Sequence, residues 1–390
     1  MFKVSKLQAV VKVRTLSIGI PGWPTSQDIQ NAAGQFQRAV DHFNASGLEV
    51  QSCRLALEHW DRSAIGKASG DHREAMAKAL DADCAEAGID FCSVGVVTRK
   101  ADIEQIGELV ASNSRLNSCV AVQSVNQDSD AEIIHASVWA IQYLAANTSN
   151  GEGNFRFGIG FRIGPHSPFV PGPYHDGGEP CLTIGFENSD LLVEAFKTRG
   201  GMGTLRTNLF KLLNAKYQDI ERSAVKLSSA LGLKFGGMDT SIAPSLVPDE
   251  SIVEAFRFAG VEFGEFGTLA LCGLVTGVLK SIEVKRVGYC GIMLPILEDV
   301  GLARAAVEGR LGIAQALSYA SVCGVGVDMV ALPGNVSAER LQALVTDVGT
   351  MADRLQKPLL VRVLPIPGKA AGDLTNFSSR YICNSNIMTI

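Results

Sequence analysis

Gly236-Gly237-Met238-Asp239-Thr240-Ser241-Ile242-Ala243-Pro244-Ser245 is the stretch on which the fold reading turns. An apolar, glycine-bearing lead-in ends in one acid, two hydroxyls and a proline. That order describes a buried strand running out into a polar loop, and α/β proteins hold their ligands outside the carboxyl ends of such strands. The same grammar returns at Val325-Gly326-Val327-Asp328-Met329-Val330-Ala331-Leu332-Pro333-Gly334. It appears a third time at Leu360-Val361-Arg362-Val363-Leu364-Pro365-Ile366-Pro367-Gly368-Lys369. Three strand-like runs that end in charge, proline and glycine predict a functional rim.

Outward from these runs the chain alternates. Strand-like segments fall at 14–20, 48–57, 89–97, 117–123, 155–163 and 181–186. The run ending at Asp239, a weaker one at 286–291, the run holding Asp328 and the run ending at Arg362 bring the candidates to ten. Helical periodicity fills most of the intervals, including a region at 189–231 broken by Gly200-Gly201-Met202-Gly203. Repeated βα alternation implies a mainly parallel sheet. Ten strands are many for one open sheet, so the expected architecture is a ten-stranded α/β barrel. No proline- or serine-rich linker divides the chain, which predicts a single domain over 1–390 with a tail at 375–390.

Composition narrows the function classes. The 390 residues carry a net charge of −5, with 46% hydrophobic and 19% charged residues. No basic stripe marks a nucleic-acid surface. The opening Met1-Phe2-Lys3-Val4-Ser5-Lys6 lacks the apolar region of a signal peptide. The longest apolar run, 267–279, falls short of the ~20 residues a membrane span needs. Nine cysteines without a CxxC pair read as reduced thiols. The expected setting is the cytoplasm, with no membrane or nucleic-acid partner. The apolar stretch around Leu269 to Leu279 fits a homodimer face and a core helix equally well.

The chain resembles the DUF711 (UPF0210) proteins. The resemblance rests on Val13-Arg14-Thr15-Leu16-Ser17-Ile18-Gly19, Pro173-Tyr174-His175, Met238-Asp239-Thr240-Ser241-Ile242-Ala243-Pro244 and Glu298-Asp299. It continues through Ser321-Val322-Cys323-Gly324-Val325-Gly326-Val327-Asp328-Met329 and Arg362 with Pro365-Ile366-Pro367-Gly368-Lys369. It implies a fold similar to pyruvate formate-lyase and anaerobic ribonucleotide reductase, a ten-stranded barrel of two five-stranded halves. Arg380-Tyr381 lacks the glycine that would hold a glycyl radical, so the expected chemistry does without one.

Asp239, Glu298, Asp299 and Asp328 offer hard oxygen ligands for Mg²⁺, Mn²⁺ or Ca²⁺. An acid after a strand also serves as the N-cap of the next helix. His175, in the glycine- and proline-rich loop 164–180, is the expected proton carrier or imidazole ligand; a turn-stabilising hydrogen bond is its other reading, and His166 is a weaker candidate. Arg362 could grip a carboxylate or phosphate in a two-point fork. Lys369, Ser241 and Tyr174 complete the expected substrate contacts. Cys323 is the candidate thiol, matched in the fold relatives by a radical-bearing cysteine; a buried inert thiol is the alternative. HExxH, G-x-S-x-G, Walker A and Rossmann patterns are missing. The reading that follows is metal-assisted hydrolysis or lysis of a small polar, anionic substrate. A non-catalytic small-molecule-binding or regulatory protein on the same scaffold is the alternative.

Overall fold

Alternation along the strands decides which face of the sheet meets helices and which meets the site. The computed structural model describes residues 10–390, so the Met1-to-Lys6 opening lies outside the described residues. The strands are β1 (Lys12–Gly19), β2 (Glu49–Val50), β3 (Cys53–Ala56), β4 (Phe91–Val97), β5 (Leu116–Val122), β6 (Phe157–Phe161), β7 (Cys181–Phe186), β8 (Lys234–Asp239), β9 (Gly326–Pro333) and β10 (Leu359–Ile366). They form one ten-stranded sheet in the order β8-β7-β1-β3-β4-β5-β6-β10-β9, with β2 beside β1. The central five, β1, β3, β4, β5 and β6, are parallel. Two-strand wings flank them. β7 pairs antiparallel with β1 and carries β8, and β10 pairs antiparallel with β6 and carries β9.

Leu16, Ile18, Leu55, Cys92, Leu116, Val120, Leu182, Ile184, Val327 and Val361 pack with the helices in the main core. Residues paired across neighbouring strands share a face. The registers Ser17↔Arg54, Arg54↔Phe91, Ser17↔Thr183 and Arg362↔Asp328 therefore define the opposite face, which is rich in polar and small side chains. Burying charge on it demands partners or a ligand. The loop after β6 crosses this face: a Cβ on Gly185 would stand 2.8 Å from the Phe169 ring, and one on Gly158 would stand 3.0 Å from Pro171.

Ten strands are present as expected, but strand pairing does not close the sheet: β8 and β9 are its two edges. The weak candidate at 286–291 is not a strand, and the two-residue β2 takes its place in the count. Gly288 (φ 73°) and Cys290 (φ 49°) adopt left-handed conformations that break an extended run. The segment still bonds to β8, where Val287 N–H donates to Met238 O at 3.0 Å, and just beyond it Ile292 O accepts from the N–H of Gly324, two residues before β9, at 2.6 Å.

The region 189–231 forms two helices, Ser189–Lys197 and Met202–Ala230, split where the glycines predict. The apolar run at 267–279 is the helix Thr268–Ser281, which buries Leu271, Cys272, Leu274 and Val275. Among the described residues no helix is long and apolar enough to cross a membrane. The tail docks. Phe377, Ile382 and Ile387 pack with Leu297, Met329, Leu364 and Ile366, and Met388 N–H donates to Ala331 O at 2.9 Å.

Candidate active site: an arginine chamber

Three arginines meet where the central strands begin. Arg14 comes from β1, Arg54 from β3 and Arg362 from β10; together with Glu298, Asp328, Phe155, Tyr289 and Tyr381 they line one cavity. Its volume is about 40 Å³. A water needs ~10–15 Å³ on that measure, so a carboxylate or phosphate head is the size that fits.

Arg362 is buried and fully engaged. Its Nε donates to Asp328 Oδ1 at 2.6 Å and its Nη2 to Asp328 Oδ2 at 3.0 Å, a two-point fork. Nη2 also donates to Glu298 Oε1 at 2.7 Å, and Nη1 to Phe155 O at 3.3 Å. Burial opposes this charge, but Asp328 and Glu298 outweigh it and hold the guanidinium above its ordinary value. A bulge sets the fork: the register of β9 and β10 shifts just after Arg362↔Asp328, and Met329 takes φ 51°. An extra residue there turns both Asp328 and Met329 toward the polar face.

Arg14 shares its charge. Its Nη1 donates to Glu187 Oε2 at 2.8 Å, and its Nη2 lies 3.5 Å from Glu298 Oε2. Glu298 thus spans Arg14 and Arg362 from the short turn Ile296–Glu298.

Arg54 differs from both. It is 8% exposed, and among the described residues it makes no salt bridge. Its one hydrogen bond runs from Nε to Ser52 Oγ at 3.2 Å, and its guanidinium lies 5.5 Å from the Phe91 ring centre. Burial, reinforced by the field of Arg14, pushes it down to about 10. It remains a cation at neutral pH. Glu187, Glu298 and Asp328 pair with Arg14 and Arg362, so Arg54 is the lining guanidinium without a carboxylate at salt-bridge distance among the described residues. Tyr381 from the tail stacks on Phe155 at 5.7 Å and walls the chamber on that side.

The structure brings Glu298, Asp328 and Arg362 together and places the other expected site residues elsewhere. Asp239 is buried with four donors: Ser241 N (3.0 Å), Ser241 Oγ (2.6 Å), Cys290 N (2.9 Å) and Tyr289 N (2.8 Å). It pins the 286–291 segment to the end of β8. Asp299 caps the helix Val300–Val307 through Gly301 N and Leu302 N and also accepts from Ser251 Oγ and Ile252 N. The four acids therefore form no common ligand cluster among the described residues. Ser241 serves Asp239 and Gly291 N. Lys369 sits in the turn after β10 and makes no side-chain hydrogen bond among the described residues; Gly334 N–H donates to its backbone carbonyl at 3.1 Å.

His175 is buried, with Nε2 3.1 Å from Glu179 O and Nδ1 accepting from Gly177 N–H at 3.1 Å. That is the turn-stabilising arrangement, and burial pushes its pKa down. Tyr174 packs beside Phe169 and Tyr289 in the small cluster on the polar face. Cys323 is buried near Cys272, and burial pushes its thiol up, the opposite of activation.

Sequence reasoning missed Arg14 and Arg54 as site residues. The signal was present in Cys53-Arg54-Leu55-Ala56-Leu57, a single cation inside an apolar strand. A charge in such a run is rarely buried unless it is paired or functional.

A family model described as "Uncharacterised ACR (DUF711)" matches residues 10–379. A UPF0210 protein of Desulforudis audaxviator is 31% identical over 349 residues, covering 80% of this chain and 74% of the relative. UPF0210 protein MK1214 of Methanopyrus kandleri is 26% identical over 379 residues, covering 89% and 81%. One from Oenococcus oeni is 28% identical over 333 residues, covering 80% and 73%.

Proposed function

The chain belongs to the DUF711 (UPF0210) family, and we propose that its arginine chamber binds the anionic group of a small polar substrate. The carrying observation is Arg54, a buried guanidinium without a carboxylate partner that lines a cavity. Keeping an unpaired charge out of water costs several kcal/mol, roughly, and an incoming carboxylate or phosphate repays it. Planar two-point recognition of such a group is what arginine does best.

The reaction we assign is hydrolysis or lysis of that substrate, with Glu298 as the proton acceptor. Glu298 is the acid that spans two arginines at the cavity wall, whereas both oxygens of Asp328 are taken by the Arg362 fork. Asp239 and Asp299 spend their oxygens on protein donors, so divalent-metal assistance through them is not part of this reading. The second reading is a binding or regulatory protein. It is favoured by the fact that every chamber carboxylate is already held by arginine.

The scaffold reading goes with this. The segment 285–293 bonds to β8 through Met238, to the loop after β8 through Ile242 and to Gly324 ahead of β9, which supports a barrel of the pyruvate formate-lyase kind completed by a non-strand segment. Nine unpaired thiols support a reducing, cytoplasmic setting.

The deciding experiment screens small carboxylates and phosphate monoesters by calorimetry, then follows each binder for turnover by NMR. A Glu298→Gln variant that keeps binding and loses turnover supports the enzyme. Binding without turnover in the wild type supports the binder. A screen without a single arginine-dependent ligand sinks both.

A further inference from the structure

We propose that His166, His175 and Cys181 form a binding site for a borderline-soft divalent cation, zinc in the first place. One ring nitrogen of each histidine and the Cys181 sulfur lie within 4.8 Å of one another, and they are the sole such cluster among the described residues. The site lies at the far end of the sheet from the arginine chamber. Cys181 opens β7 and pairs with Gly19, the last residue of β1.

The distances suit a metal. Tetrahedral zinc with one sulfur and one imidazole places those two donor atoms about 3.5 Å apart. His166 Nδ1 and Cys181 Sγ stand at 3.3 Å. The outer groups are also in place. His166 Nε2 lies 3.1 Å from Asp176 Oδ2, which orients the ring and leaves Nδ1 as the donor atom. A carboxylate behind a ligating histidine is the usual support of a metal site. His175 holds a backbone partner on each ring nitrogen. Nδ1 carries the lone pair: coordination there displaces the Gly177 N–H, while Nε2–H donating to Glu179 O keeps the ring aimed.

The backbone makes room for this cluster. A Cβ on Gly19 would stand 2.6 Å from His175 Cδ2 and 3.2 Å from Cys181 Sγ. His166 takes φ 66°, and its N–H donates to Tyr174 O at 2.8 Å, which brings the two ends of the loop 164–180 together. Imidazole and thiolate donors select zinc over magnesium or calcium. Zinc binding deprotonates the Cys181 thiol and releases one proton to solvent. Three protein donors leave the fourth position to water.

The loop clasped in this way carries Phe169 and Val170 into the wall of the arginine chamber. Zinc here would fix that wall from outside the chamber. The site stands on its own geometry and does not depend on what the chamber binds.

The test uses the tag-free full chain, stripped with chelator and titrated with zinc chloride by calorimetry and with cobalt chloride by absorption. We expect one equivalent of zinc, a higher melting temperature with zinc, and a thiolate-to-cobalt charge-transfer band. Cys181→Ser should remove the band and weaken zinc binding at least about tenfold. Asp176→Asn, at an exposed side chain that does not threaten folding, should weaken it about 10- to 100-fold. Cys53→Ser, at a half-buried thiol outside the cluster, should change neither the band nor the zinc affinity. No zinc binding, zinc binding that survives Cys181→Ser, or cobalt binding without the band would overturn the proposal.

Discussion

Asp239 and Arg54 are both charges buried in the sheet, and they are treated in opposite ways. Asp239 has four donors on two oxygens, two from Ser241 beside it and two from Tyr289 and Cys290 in the non-strand segment. Arg54 has one weak bond to a serine and an aromatic face. The first charge is spent on architecture, since it holds the non-strand segment against the sheet edge. The second is held in reserve. A buried charge that the protein satisfies tells of the fold, while one it leaves unsatisfied beside a cavity tells of a ligand.

The largest effect expected from breaking this contrast is at Arg362. Arg362→Ala leaves Asp328 buried without its cation and Glu298 with Arg14 alone. Stability should drop by about 3–5 kcal/mol, read from urea denaturation. A loss under ~1 kcal/mol would show that the fork is ornamental. Asp239→Ala comes next. Four donors lose their acceptor, for a cost of about 3 kcal/mol, while affinity for a chamber ligand stays within roughly twofold of wild type. A variant that is stable but cannot bind would move Asp239 back into the site.

Tyr381→Ala removes the tail's ring from the chamber wall. Ligand affinity should fall by roughly fivefold, about 1 kcal/mol, with the unfolding midpoint nearly unchanged. An unchanged affinity would detach the tail from the site. The smallest effect is in pH. Burial, reinforced by the field of Arg14, lowers the Arg54 guanidinium to about 10. Anion binding needs the cation, so affinity should be level at neutral pH and fall as the pH passes about 10. That fall should be missing in an Arg54→Met variant, whose residual binding titrates with other groups.

The same contrast explains what could be read from the chain alone. The sheet was readable because strands announce themselves locally. The segment 181–186 is β7 to the residue, and the runs ending at Asp239 and holding Asp328 are β8 and β9. The segment 286–291 looks like a strand by composition. Its left-handed Gly288 and Cys290, and the capture of its N–H groups by Asp239, depend on a partner about 50 residues away, which periodicity does not encode.

The site was half readable for a related reason. Asp328 and Arg362 lie in strand-like runs and stand out there, while Glu298 stands out through the family resemblance. Their pairing with each other, rather than with a metal, depends on the register of β9 against β10. Asp239 and Asp299 look the same as Asp328 in one dimension, and only their donors separate them. Arg54 hides because one charge in a short apolar strand resembles an edge. Its burial follows from lying between β1 and β4 near the middle of the sheet.

The most direct test of the account pairs melting temperature with calorimetry on Arg54→Met. The substitution removes an unpaired buried charge and keeps an unbranched apolar stem. The account predicts a melting temperature equal to or above that of wild type without ligand, together with at least a tenfold loss of affinity for inorganic phosphate or acetate, whichever the wild type binds. A marked fall in melting temperature with anion binding intact would contradict it, because Arg54 would then be a structural charge and the chamber would not be a site.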